Sequence, residues 1–320
     1  MKHTPQRKLK VGLALGSGAA RGWSHIGIIK GLAEMGIVPE IVCGSSIGAL
    51  VGAAYAADRM EAFESWVRSL TWREILRFLD PSLTGGGLIQ GEKLTEFLND
   101  FEEEGLSFEQ LERQLGIVAT ELETGREIWF RSGPVMEAVL ASISLPGLFT
   151  PIRHEGRWLV DGGLANPVPV SLCRAMGAEI VIAVNLNGDI LGRHFRQNDD
   201  KPSSEAQIAI SEDADLLGRI AAQLKSTLGA KKDDLMARLF GESRDVPGLY
   251  EVLASSINIM QDRITRSRMA GDPPDMILSP RMAKLGLMEF DKAEYGISEG
   301  LKEIERMRPA LEQLFHMVES

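Results

Sequence analysis

The sequence predicts an α/β fold with a central, mostly parallel sheet, on three observations. Short apolar runs bounded by glycines or turn residues recur at residues 10–15, 41–43 and 179–184, the pattern of strands covered on both faces. Between them lie segments with apolar residues every three or four positions, which is helical spacing. Strands that each feed a helix pair most simply in parallel, through right-handed crossovers.

The elements follow in order. Residues 10–15 form the first strand, and a glycine-rich loop, Gly16-Ser-Gly-Ala-Ala-Arg-Gly22, leads into a helix that carries Trp23, Ile26, Ile29 and Ala33 on one face and ends near Gly36 and Pro39. Residues 41–43 are a second strand running into Gly44-Ser-Ser-Ile-Gly48, and residues 49–57 are a helix apolar all round, hence buried. Residues 59–115 read as short amphipathic helices that cap one end of the sheet, broken by Pro81 and Gly85-Gly-Gly87. Strands at 117–120 and 127–130 make a hairpin. A helix over 135–142, a break at Pro146-Gly147, a strand ending at Asp161, a helix over 168–176 and a strand over 179–184 come next. Residues 190–247 are polar and charged and read as a variable, mobile segment. A helix over 249–269, a strand over 276–278 and a final helix bent at Pro309 complete the chain. The organisation expected is a basic arm over 1–9 and one domain over 10–320.

Composition narrows the function. The 320 residues are 44% hydrophobic and 25% charged, which suffices for a large core and excludes disorder. A net charge of −10 is a poor match for nucleic acid, so no nucleic-acid partner is expected. Two isolated cysteines and five scattered histidines offer no disulfide framework and no metal-ligand spacing. No cofactor or metal is expected, and the protein is expected in the cytoplasm. Lys2, Arg7, Lys8 and Lys10 before an apolar run imitate a secretory signal, but glycines and serines interrupt that run and Arg21 closes it. No apolar run approaches the roughly 20 residues of a membrane span.

The chemistry lies in two loops and one carboxylate. The pattern G-x-S-x-G occurs at residues 44–48 and again at 296–300. It needs a strand entering and a helix leaving, because only a sharp strained turn lifts the serine hydroxyl above the sheet. Ser46 has that frame, and a Cβ at Gly44 or Gly48 would collide across the turn. Ser298 has no preceding strand and reads as a helix N-cap, and Ser45 reads as a polar filler. The loop of residues 16–22 suits either phosphate binding or oxyanion stabilisation by its amides. The dinucleotide fingerprint fails at Arg21, and the P-loop pattern is missing. Asp161, followed by Gly162 and Gly163 that let the chain turn sharply, is a better base candidate than any histidine, with a turn-capping role as the alternative. An NAD(P)-binding oxidoreductase and a regulatory interaction protein remain rival readings.

Taken together, these residues resemble the patatin-like phospholipases, specifically the bacterial proteins similar to the neuropathy target esterase catalytic domain. The resemblance rests on the two loops above, Ala141-Ser-Ile-Ser-Leu-Pro-Gly-Leu-Phe-Thr-Pro151, Asp161-Gly-Gly163 with Asn166-Pro167, and Met260-Gln-Asp-Arg-Ile-Thr-Arg-Ser-Arg268. It implies a three-layer α/β/α fold and a Ser46–Asp161 dyad without histidine or metal. It also implies oxyanion donors at the amides of Ser17, Gly18 and Ala19, and hydrolysis of acyl lipids at a membrane or micelle surface, with the protein peripheral to the inner membrane. Gly16 and Gly22 shape the donor loop. Arg21 is expected to bind a lipid phosphate or to pin that loop, with pinning favoured. Oligomeric state is not readable.

Overall fold

A computed structural model describes residues 9–71, 105–146, 149–188 and 249–319. The arm over 1–8, most of the expected cap and the segment 190–247 lie outside the described residues. The described strands form one eight-stranded sheet: β1 Val11–Leu15, β2 Ile41–Ser45, β3 Gln114–Glu121, β4 Glu127–Phe130, β5 Ile152–His154, β6 Arg157–Asp161, β7 Ile180–Val184 and β8 Met276–Leu278. Their order is β5-β6-β3-β2-β1-β7-β8, with β4 also on β3. The stretch from β3 through β8 is parallel, and β4, β5 and β6 add antiparallel pairs at one end.

The helices are α1 Ser24–Glu34, α2 Ile47–Ala56, α3 Met60–Ser69, α4 Val135–Ile143, α5 Val170–Ala175, α6 Leu249–Gly271 and α7 Ala293–Glu319. Strand alternation sends side chains to two separate cores. Leu13, Leu15, Val42, Ile182 and Val184 meet α1, α2, α4 and α7 on one face. Ala14, Ile41, Cys43, Val181 and Ala183 meet α5 on the other. Helices on both faces give the three layers the resemblance implied, and both cysteines are buried and free.

Several boundaries shift for identifiable reasons. The first helix begins at Ser24 because residues Ala19–Trp23 tighten into a 3-10 turn. The helix expected over 168–176 begins only at Val170, behind Pro167 and Pro169. The strand before Asp161 is two strands joined at Glu155 and Gly156. Ser298 is not an N-cap, since α7 starts at Ala293 and carries it in its interior. Its flanking glycines serve helix packing instead. A Cβ at Gly296 would press on Trp23, and one at Gly300 would collide with the Ser24 carbonyl oxygen. Gly27 and Gly31 on α1 answer with equally close approaches to Ile297 and Ile304. Gly300→Ala is therefore expected to cost about 1–3 kcal/mol of stability by overpacking, read from urea denaturation.

Candidate active site

The site forms where two strands meet end to end. On β3, Ile117 and Val118 pair with both β2 and β4, while Ala119 and Thr120 pair with both β4 and β6. A strand has only two edges, and β4 occupies one of them throughout. So β2 and β6 share the other edge and approach from opposite directions. Ser45 stands opposite Val118 and Asp161 opposite Ala119, which brings the carboxyl ends of β2 and β6 together.

Ser46 joins β2 to α2 with φ 56° and ψ −127°, a strained conformation for a residue with a side chain. The turn is held by close packing. A Cβ on Gly44 would collide with the Gly48 carbonyl and the Ala49 backbone, and one on Gly48 with the Leu15 carbonyl, so the elbow rests against the end of β1. The Ser46 amide donates to Ser142 Oγ at 2.9 Å, and the Ser142 hydroxyl donates in turn to the Val118 carbonyl at 2.6 Å. Ser45 is fully buried.

Asp161 is 1% exposed and bonded on every side. Its amide donates to the Ser144 carbonyl at 2.9 Å, and its carbonyl accepts from Thr120 Oγ1 at 2.8 Å. Oδ1 accepts from the Gly163 amide at 2.7 Å, and Oδ2 accepts from Ser46 Oγ at 2.5 Å. The carboxylate thus both caps a turn and meets the serine. Burial pushes its pKa up from 3.8 to about 6, and the bonds from Ser46 and Gly163 oppose that rise. Gly162 is needed because a Cβ there would strike the Val118 carbonyl.

The glycine loop faces this pair. β1 and β2 are parallel neighbours, so both loops leave the same sheet edge. The structure corrects one expected donor: the Ser17 amide is engaged with the Pro167 carbonyl at 2.9 Å and is turned inward. Ala20 donates to Leu287 and Arg21 to Gly18. Among the described residues nothing accepts from the amides of Gly18 and Ala19, which line the cleft with Ser46 and Asp161. Gly16 donates to Val184, and a Cβ on Gly22 would overlap Ile47, so both seat the loop on its neighbours. Arg21 is 2% exposed; Nη1 donates to Asn187 and Nη2 to Asn258, each at 3.3 Å, an arrangement that pins the loop to the chain after β7 and to α6.

The described histidines stand apart from this chemistry. His25 is fully buried and its Nε2–H donates to the Gly16 carbonyl at 2.8 Å. Burial lowers its pKa to about 4, so it is a neutral prop for the loop. His154 bonds Glu137, and His316 is exposed on α7. His194 lies outside the described residues.

Sequence reasoning assigned no role to Ser142, Thr120, Asn187, Asn258 or Gln261, all of which brace the site. Ser142 and Gln261 lie in stretches that carry the family resemblance, and Thr120 is a polar residue inside an apolar strand; Asn187 and Asn258 have no local signal. Ser142→Ala would remove both bonds of the bridge between the Ser46 amide and the Val118 carbonyl, at an expected cost of about 1–3 kcal/mol in stability. Thermal melts check it, and an unchanged melting temperature would show the bridge is dispensable.

Fold and site define an α/β protein with a serine at a strand-to-helix elbow and a buried carboxylate against it. The chain belongs to the patatin-like phospholipase family, whose defining pattern matches residues 13–174, and so to a family of lipid hydrolases. It is 35% identical over 324 residues to an uncharacterized NTE family protein of Mycobacterium tuberculosis, covering 91% of this chain and 89% of that protein. It is 36% identical over 187 residues to the lysophospholipase nte1 of Emericella nidulans, covering 55% of this chain and 12% of that protein. Among solved structures it resembles VipD from Legionella pneumophila with TM-score 0.46 and 14% identity, over 96% of this chain and 67% of that one.

Proposed function

We propose that the protein is a serine acyl hydrolase that cleaves ester bonds of lysophospholipids or related acyl lipids through an acyl-enzyme. The observation that carries this reading is the 2.5 Å bond from Ser46 Oγ to the buried Asp161 carboxylate, at an elbow whose serine is strained. Ser46 attacks the ester carbonyl while Asp161 Oδ2 takes its proton. The amides of Gly18 and Ala19 stabilise the oxyanion. Collapse releases the alcohol, which leaves with the proton from Asp161, and the carboxylate then activates water to free the fatty acid. Raised basicity suits the carboxylate to this task, since an ordinary aspartate is a very weak base. The lysophospholipase name of the fungal relative supports the substrate class.

The substrate is an amphiphile, so the reaction belongs at a micelle or membrane surface. Among the described residues no helix is long and apolar enough to cross a membrane.

Labelling with a fluorophosphonate and mapping the adduct by mass spectrometry tests the reading. An adduct on Ser46 is expected. An adduct on Ser298, or none from folded protein, would sink it. The pH profile adds an independent check, because the base form of Asp161 is required. With its pKa near 6, kcat/KM should rise as pH climbs through about 6 and level off above it.

A further inference from the structure

The cleft beside Ser46 contains a polar group that the proposed mechanism does not use. Gln261 on α6 is 5% exposed and lines the cleft together with Asn258, Leu145, Ile257, Leu287 and Met288. The orientation of its amide follows from a chain of bonds that begins at a guanidinium. Arg21 can only donate, so the Asn187 atom receiving Nη1 is Oδ1, and the Asn187 atom facing Gln261 is the donor Nδ2. Nδ2 lies 3.3 Å from Gln261, whose receiving atom must then be Oε1; the same Oε1 accepts from Ser17 Oγ at 3.1 Å. Gln261 Nε2 is thereby turned away from this cluster and lies over Gly163. A Cβ on Gly163 would stand 2.5 Å from Nε2 and 2.9 Å from Asp161 Oδ1. Among the described residues nothing accepts from Nε2.

Nε2 opens into the cleft rather than being sealed in protein, so a ligand seated beside Ser46 can accept a hydrogen bond from it. The chemistry of an acyl lipid restricts which ligand atom that is. Its acyl chain is hydrocarbon, so the acceptors are the ester carbonyl and the oxygens on the alcohol side. The amides of Gly18 and Ala19 serve the carbonyl in the proposed mechanism. We infer that Gln261 determines specificity by donating from Nε2 to an oxygen of the alcohol portion, a glycerol hydroxyl or a phosphate oxygen next to the scissile ester. This rests on the reading of Ser46 as nucleophile. The remaining lining on this part of the cleft, Leu145, Ile257, Leu287 and Met288, is apolar and suits the acyl chain, which leaves Gln261 and Asn258 as the side-chain amides available to the polar half of the lipid.

The test compares three esters of one acyl chain, presented in the same detergent micelles: a p-nitrophenyl ester, a monoacylglycerol and a lysophosphatidylethanolamine. Gln261→Ala is expected to lower kcat/KM on the glycerol-based esters about fivefold to tenfold more than on the p-nitrophenyl ester, the scale of one lost hydrogen bond. A selective loss on both glycerol esters assigns the contact to a glycerol oxygen, and one confined to the lysophospholipid assigns it to phosphate. An equal loss on all three would overturn the inference, because support of the loop or contact with the carbonyl affects every ester alike. Ser17→Ala gives that uniform pattern for comparison, since it removes the bond to Oε1 and leaves Nε2 in place. Should the alanine variant not fold, Gln261→Met, which keeps the length of the side chain without a donor or a charge, carries the same comparison. Fluorophosphonate labelling of the unsubstituted protein separates the two failures: no adduct on Ser46 and no turnover defeats the hydrolase reading itself, whereas labelling with equal losses defeats only the role of Gln261.

Discussion

Ser46→Ala is expected to lower kcat/KM on acyl esters by roughly 10⁴-fold or more and to abolish fluorophosphonate labelling. The effect is large because the serine is the only group in the proposed mechanism that becomes covalently bound to the acyl chain. Alanine keeps a Cβ, so the backbone at φ 56° stays as constrained as before and the elbow should retain its shape. The remaining change is the loss of the hydroxyl donor to Asp161 Oδ2. Circular dichroism should therefore match the parent protein. Hydrolysis within about tenfold of the parent would remove Ser46 from the mechanism.

Asp161→Asn should separate activity from stability. Removing the base is expected to cost about 10²–10⁴-fold in kcat/KM. Stability should move the other way at neutral pH. The folded-state pKa of about 6 lies above the ordinary 3.8, so the group favours folding fully below pH 3.8 and loses that contribution as pH rises through about 6. At pH 8 the ionised buried carboxylate penalises the fold by up to about 3 kcal/mol. Asparagine carries no charge, so the variant should melt higher than the parent at pH 8, with the difference closing below pH 4. A lower melting temperature at both pH values would show that its bonds to Ser46 and Gly163 outweigh the burial of charge.

Much of this arrangement is legible in the sequence because it depends on local pattern. β1, β2 and β7 are covered on both faces, so β1 and β7 are unbroken apolar runs and β2 is one as far as Cys43. The elbow is legible because its strand and helix are contiguous with it, and the same criterion separates Ser46 from Ser298. The second G-x-S-x-G shows where the criterion stops. Its glycines answer to α1, far away in sequence, and nothing adjacent reveals that α7 begins at Ala293. The Ser17 amide fails as a donor for a similar reason, since its partner, Pro167, is distant. Gln261 reaches Ser17 across a separation of 244 residues, and no local periodicity marks such a bond. Ser142 falls between these cases: it lies in a stretch that carries the family resemblance, but its bridge from Ser46 to β3 exists only once α4 docks.

The end-to-end meeting of β2 and β6 on one edge of β3 makes that strand a ruler for the chemistry. Ser46 and Asp161 are 115 residues apart in the chain, but adjacent rungs of β3 set their spacing. Connections between β2 and β3 can lengthen or shorten without moving serine relative to aspartate. A single residue inserted between Val118 and Ala119 would instead shift one graduation, turn β6 over and carry the carboxylate to the opposite face of the sheet. Tolerance to insertion should therefore be very uneven along this chain, broad in the connections and close to nil within those two rungs.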